Sequence, residues 1–91
     1  MISKFSEMLK YAEDYLSSRP YIADLIVDKY EICNIYNIGS KLIGATGVGE
    51  TMTLDVKIKG TFDSDWQYIY TMEIEYFCSM CIKGHGSKRI R

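Results

Sequence analysis

Residues 50–82, ETMTLDVKIKGTFDSDWQYIYTMEIEYFCSMCI, decide the fold that the sequence predicts. Apolar and polar side chains alternate along residues 50–60. A period of two is typical of a β-strand that buries one face and exposes the other. The stretch is therefore predicted to be a strand whose buried face consists of Met52, Leu54, Val56 and Ile58.

The same alternation continues over residues 66–82, with Ile69 and Phe77 as apolar exceptions on the polar side. The residues between the two runs, 61–65, are rich in turn-forming types. We therefore predict a long antiparallel hairpin, with Lys57 and Lys59 facing Glu73 and Glu75 on its polar side. The predicted inner face of the second strand consists of Trp66, Tyr68, Tyr70, Met72, Ile74, Tyr76, Cys78, Met80 and Ile82.

An isolated hairpin is only marginally stable in water, so its apolar face needs a cover. Residues 2–17 show the spacing of an amphipathic helix. A second helix is predicted from Pro20 to Lys29, since proline suits a first helical turn and Ile22, Leu25 and Ile26 share one side. Both helices are expected to pack on the hairpin.

Residues 31–38 have a β-prone composition and are predicted to form a strand, although they could also prolong the second helix. Gly39-Ser40 is predicted to form a turn, residues 41–43 a short strand, and residues 44–50 a flexible connection. The fold class is thus α+β, with two N-terminal helices packed on one face of a three- to four-stranded antiparallel sheet. Residues 1–82 form the single domain, and residues 83–91 form a basic, flexible tail.

The segment Gly44–Thr51 resembles a phosphate-binding loop in its glycine spacing, but Glu50 occupies the position of the essential lysine. A carboxylate there would repel a polyphosphate, and a strand rather than a helix follows. We interpret these glycines as a turn.

Composition narrows the class of protein. Hydrophobic residues make up 47% and charged residues 25% of the 91 residues, as in ordinary globular domains. No apolar run approaches the roughly 20 residues that span a bilayer. Three cysteines without an export signal favour a reducing cytoplasm. The usage of isoleucine, tyrosine, lysine and aspartate suggests an AT-rich genome, such as that of a phage.

One alternative is a zinc-stabilised domain. Cys33, Cys78, Cys81 and His85 could supply three thiolates and an imidazole. A lone CxxC pair is a weak signal, and Cys33 has no companion nearby in sequence. The competing interpretation is that Cys33 and Cys78 are buried and pack as small apolar residues. No cofactor is therefore predicted.

A second alternative is nucleic-acid binding. The net charge is −1, so the chain has no overall basic field. Four of its 11 basic residues nevertheless fall in the last nine positions, at Lys83, Lys88, Arg89 and Arg91.

The leading hypothesis is a non-enzymatic protein that binds a larger protein partner as a regulator, inhibitor or assembly factor. The only histidine lies between glycines, which is a poor setting for a catalytic base. Aromatic residues and methionine are enriched at protein interfaces. A larger partner or a second copy of the chain would bury the apolar residues that the helices leave uncovered. The residues expected at this interface are Trp66, Tyr68, Ile69, Tyr70 and Phe77.

Overall fold

The computed structural model describes residues 4–22, 25–43 and 47–90. Within these ranges one helix precedes five strands. Each strand pairs antiparallel with the next along the chain, so the sheet is a simple meander. The elements are α1 (Lys4–Ser17), β1 (Tyr21–Ile22), β2 (Leu25–Ile43), β3 (Gly47–Gly60), β4 (Tyr68–Phe77) and β5 (Ser79–Arg89).

The core lies between α1 and the central strands β3 and β4. The predicted alternation of residues 50–60 is confirmed, because the four apolar residues of that strand are 0–3% exposed. Helix α1 buries Met8, Ala12 and Leu16, which are spaced four residues apart and share one side of the helix. Each large side chain in this core contributes roughly 1.5–3 kcal/mol. On the opposite face of these strands, Thr53 and Glu75 are also buried, at 5% and 6% exposure. The core residues contributed by β3 and β4 are Met52, Leu54, Val56, Ile58, Tyr70, Met72 and Ile74.

Helix α1 covers only part of this face. Its 14 residues span about 21 Å, whereas the longest dimension of the molecule is 47 Å. At the far end of the β2–β3 hairpin, Ile38, Leu42 and Val48 remain 51%, 67% and 63% exposed.

The prediction of two helices is wrong, because the chain from Leu25 onward belongs to the long strand β2. The partly buried residues of that segment are Leu25, Val27, Tyr30 and Ile32. Their spacing of two, three and two reflects a β-bulge between Val27 and Lys29. The predicted helix relied on Ile22, Leu25 and Ile26, which precede this bulge. Ile22 and Leu25 share one face because they pair across β1 and β2, so their separation of three residues imitates a helical spacing.

The prediction of three to four strands is also wrong. Residues 66–82 do not form one strand, because the chain reverses at Cys78, whose φ is 67°. Phe77 pairs with Ser79 and Tyr76 with Met80 across this turn. Only Cys78 lies between the first paired residues, so each even-numbered residue of β4 pairs with an even-numbered residue in the first part of β5. Paired residues share a face, and the even-numbered side chains therefore stay on one face in both strands. The alternation therefore continues through the reversal and conceals it.

Three smaller predictions can also be compared with the structure. The strand at residues 31–38 is confirmed, but the turn at Gly39-Ser40 is wrong, because β2 continues through both residues. The predicted facing of lysines and glutamates is wrong as well. Lys57 faces Ile69, and Glu73 faces Thr53.

The segment predicted to be a basic tail contributes residues 83–89 to β5. Part of the connection predicted at residues 44–50 lies outside the described residues, as do Arg91 and the start of the helix predicted from residue 2. Among the described residues, no helix is long and apolar enough to cross a bilayer.

The turn at Cys78 gives a first testable prediction. A positive φ costs a non-glycine residue about 1–2 kcal/mol, and glycine avoids this strain. Glycine also has more conformational freedom in the unfolded chain, which offsets part of the gain in stability. The Cys78→Gly variant should therefore raise the free energy of unfolding by roughly 0.5–1 kcal/mol in a urea titration.

The matched control is Cys81→Gly, since Cys81 is also exposed but lies in the extended part of β5. This variant should lower the free energy of unfolding by about 0.5–1 kcal/mol. Equal changes in the two variants would refute the turn at Cys78.

Candidate functional site

The two faces of the sheet differ in what covers them. Helix α1 packs on the inner face, and no helix or strand in the described part of the chain packs on the opposite one. We call this opposite surface the outer face. Pairing across the strands places on it the side chains of Lys29, Glu31, Asn34, Tyr36, Thr53, Asp55, Lys57, Ile69, Thr71, Glu73, Glu75, Phe77 and Lys88.

A hydrogen-bond cluster around Asp55 occupies the centre of the outer face. The Tyr36 hydroxyl donates to Asp55 Oδ1 over 3.1 Å, and Thr71 Oγ1 donates to the same oxygen over 2.8 Å. Asn34 Nδ2 lies 3.5 Å from Asp55 Oδ2. Desolvation, followed by the hydrogen bond to Asp55, raises the pKa of Tyr36 above its usual value. The cluster thus joins β2, β3 and β4 and fixes the orientation of Tyr36 on the outer face.

An aromatic and basic cluster lies toward one end of the outer face. The Nζ atoms of Lys29 and Lys57 each lie 5.1 Å from the centre of the Trp66 ring, within the range of cation–π attraction. Lys59 instead pairs with Asp28 over 2.9 Å, which lowers the pKa of that carboxyl. Trp66 is half-buried, so its ring serves as a support for the two lysines.

The other end of the outer face carries Phe77, which is 42% exposed. Its ring lies over Gly47, where a β-carbon would overlap the ring atoms. Beside it, Thr51, Thr53, Glu73 and Glu75 line a polar hollow of about 180 Å³.

The structure separates the five residues predicted to bind a partner. Ile69 and Phe77 lie on the outer face, and Trp66 lies beside it with the two lysines. Tyr68 and Tyr70 lie on the inner face, where Tyr70 is a core residue that is only 6% exposed. The predicted set therefore does not form one continuous surface.

The four residues considered as zinc ligands are not brought together. Cys33 lies on β2, whereas the other three lie at or beyond the turn into β5, and two strands intervene. Three strand spacings amount to about 14 Å, far beyond the reach of a shared metal. His85 also faces inward opposite Met72, whereas Cys81 faces outward opposite Glu75. The described residues contain no group of three such side chains placed to hold a metal ion.

The basic residues considered for nucleic-acid binding are likewise divided. Lys88 faces outward opposite Ile69, and Arg89 faces inward opposite Tyr68. Lys83 lines the polar hollow. Arg91 lies outside the described residues. Three of the four therefore do not form a single basic track.

A tyrosine pair lies on the inner face near β5. Burial, followed by a hydrogen bond with Tyr15, raises the pKa of Tyr70 to about 12. The Tyr70 ring centre lies 5.7 Å from that of His85, and the Arg19 guanidinium lies 4.8 Å from the Tyr15 ring.

The Asp55 cluster was not predicted from the sequence. Its members come from three strands, and the bulges of β2 determine which residues face Asp55. One signal was available, since Asp55 is an acidic residue flanked by Leu54 and Val56 in a strand and is suited to accept hydrogen bonds from neighbouring strands.

Comparison of the chain with protein-family models, with curated proteins and with solved structures finds no match.

The tyrosine pair gives a pH prediction. The pKa of Tyr70 rises from 10.0 in the unfolded chain to about 12 in the folded protein, so folding favours its protonated form. Its stabilising contribution is complete below the lower pKa and is lost as the pH rises through the higher one. In urea titrations, the free energy of unfolding of the wild type should be lower at about pH 11 than at about pH 9. The Tyr70→Phe variant should show a smaller decrease between the two pH values.

The matched control is Tyr21→Phe, which removes a hydroxyl from a residue that is 58% exposed. This variant should retain the loss of stability seen in the wild type. If Tyr70→Phe and Tyr21→Phe respond alike to pH, the effect does not arise from Tyr70.

Proposed function

We propose that this protein is a non-enzymatic binding domain that occupies a surface of a larger protein through its outer face. The observation that carries the proposal is the contrast between the two faces of the sheet. One face is closed by α1, whereas the other carries the hydrogen bonds around Asp55 and has no described helix over it, although Thr53 and Glu75 on it are buried. A domain of this kind acts as a regulator, inhibitor or assembly factor by blocking or bridging its partner.

The chemistry of the outer face suits a protein partner. Ile69 and the exposed Phe77 supply apolar contacts, while the hydroxyl groups of Tyr36 and Thr71 are held in place by Asp55. Such a mixture of apolar and hydrogen-bonding groups is typical of non-obligate interfaces. Because these side chains stand on a paired sheet, little backbone freedom remains to be lost on binding.

The charges of the outer face favour a protein over a nucleic acid. Lysine and acidic residues are interspersed across the strands, as where Lys57 lies between Glu31 and Ile69. A nucleic-acid surface needs a continuous series of cations along the phosphate backbone. The Trp66 cluster supplies two neighbouring lysines, and Glu73 and Glu75 stand farther along the same face.

The cysteines support a location in a reducing compartment such as the cytoplasm. Cys33, Cys78 and Cys81 are all free and exposed. Exposed free thiols are readily oxidised outside cells, so this arrangement suits the cytosol.

The test compares two exposed phenylalanines. Tagged protein is used to isolate a stoichiometric partner from the source cells, and the purified partner is then titrated calorimetrically with variants. Phe77→Ser should weaken binding at least about tenfold, since an anchor in the interface typically contributes more than 1 kcal/mol. Phe62→Ser is the matched control, because Phe62 is 89% exposed and lies in the turn before β4.

The control variant should bind within about twofold of the wild type, since residues outside an interface have little effect on affinity. Circular dichroism verifies that both variants fold. A strictly monomeric protein that retains no partner would contradict the proposal, as would equal affinities of the two variants.

A further inference from the structure

Strand β5 forms an open edge of the sheet. Within the described residues it pairs with β4 and with no other strand. In an antiparallel pair, every second residue of an edge strand directs its N–H and C=O groups away from its neighbour. Residues 79–89 therefore present a row of backbone donors and acceptors to solvent.

Strand β5 has one register shift, at Lys83, and is regular after it. On the opposite side of the sheet, the two-residue β1 pairs only with Leu25 and Ile26 of β2. Residues 84–89 pair with residues 68–73 one to one, without interruption. Strand β2 is broken by register shifts after Val27, Ile32 and Tyr36, and Asn37 has a φ of 54°. Since bulges disrupt a template for strand pairing, β5 offers the better edge for an added strand.

The charged side chains of β5 itself all have one sign, although Glu73 and Glu75 of the neighbouring β4 lie opposite Gly84 and Cys81. Strand β5 contains Lys83, Lys88 and Arg89 and no acidic residue. On the inner side, Arg19 lines a cavity of about 290 Å³ together with His85 and Ser87. A second copy of β5 would bring the same cations and no acidic residue from its own strand, so it offers no charge complementarity. An acidic strand would meet these charges with the opposite sign.

The outer side of the edge is also accessible. Gly84 and Gly86 face outward opposite Glu73 and Thr71, and a β-carbon at either glycine would meet nothing within 4 Å. Packing within the chain therefore does not require glycine at these two positions. Their backbone lies open between Lys83 and Lys88, so an approaching chain can come close to it.

We propose that β5 binds an extended, acidic segment of the partner protein as a sixth strand of the sheet. The inference rests on the proposed function and specifies the partner's chemistry. Backbone hydrogen bonds to residues 84–89 would supply affinity, and acidic side chains near Lys88, Arg89 and Arg19 would supply selectivity.

The test uses ¹⁵N-labelled full-length protein and a synthetic peptide in which glutamate and valine alternate. Titration followed by NMR should shift the amide signals of residues 84–89 more than those of β2. A peptide of the same sequence with methylated backbone nitrogens should not bind, because it lacks the donors that an added strand requires. A peptide with lysine in place of glutamate should bind at least about tenfold more weakly.

Two charge reversals separate local from overall electrostatics. Lys88→Glu should reduce affinity for the acidic peptide at least about tenfold. Lys10→Glu changes the net charge equally but lies on the exposed side of α1, so it should change affinity by less than about twofold. Gly86→Val should fold normally and retain peptide binding, because its side chain would project from the face of the sheet into open space and not toward the edge.

Several results would overturn the proposal. These are equal losses for Lys88→Glu and Lys10→Glu, unchanged binding of the methylated peptide, and shifts caused by single-stranded oligothymidine but not by the acidic peptide. A further result would contradict strand addition at β5 while leaving the proposed function intact. If the isolated partner is released by Phe77→Ser but binds Lys88→Glu normally, the outer face acts without the β5 edge.

Discussion

The packing of α1 against β3 and β4 is the interaction on which the rest of the structure depends. Three helix residues, Met8, Ala12 and Leu16, are 0–1% exposed against the apolar row of the sheet. A chain of 91 residues can close only one substantial core of this kind. Because the single described helix packs on the inner face, the β5 edge and the outer-face side chains other than Thr53 and Glu75 remain accessible to solvent in the described part of the chain. The surfaces proposed to bind a partner are thus those that the position of the core, between α1 and the inner face, leaves accessible.

The two proposed surfaces are continuous and complement each other. The outer face carries fixed side chains around Asp55, whereas the β5 edge carries backbone groups and cations. Side chains on a sheet face supply shape and specificity, and an open edge supplies generic hydrogen bonds. A partner segment added at β5 would extend the sheet, and the rest of the partner would then lie over Ile69 and Phe77.

The sequence predicted the centre of the fold better than its borders. Alternation at Met52, Leu54, Val56 and Ile58 is uninterrupted, so β3 and its buried face could be read directly. The start of β2 was mistaken for a helix because Ile22 and Leu25, which pair across β1 and β2, share one face at a separation of three residues. The reversal at Cys78 was hidden because it preserves the alternation and uses a cysteine where glycine or asparagine is usual.

The candidate site depended on the elements that the sequence concealed. Without the register of β2, nothing placed Tyr36 and Asn34 beside Asp55. Without the reversal at Cys78, residues 83–89 appeared to be a tail instead of a strand. The predicted interface residues lie on two faces because Ile69 and Phe77 were apolar exceptions on the polar side, whereas Tyr68 and Tyr70 belonged to the alternating row and Tyr70 is a core residue.

Amide hydrogen exchange of the dilute monomer, measured by NMR, tests the central claim that one face is closed and that β5 forms an open edge. Amides of β3 should exchange only through global unfolding, while in residues 84–89 slow and fast amides should alternate. Uniform protection along β5 would show that its edge is already paired, and uniform rapid exchange would show that β5 is not a strand. Either result would contradict this account.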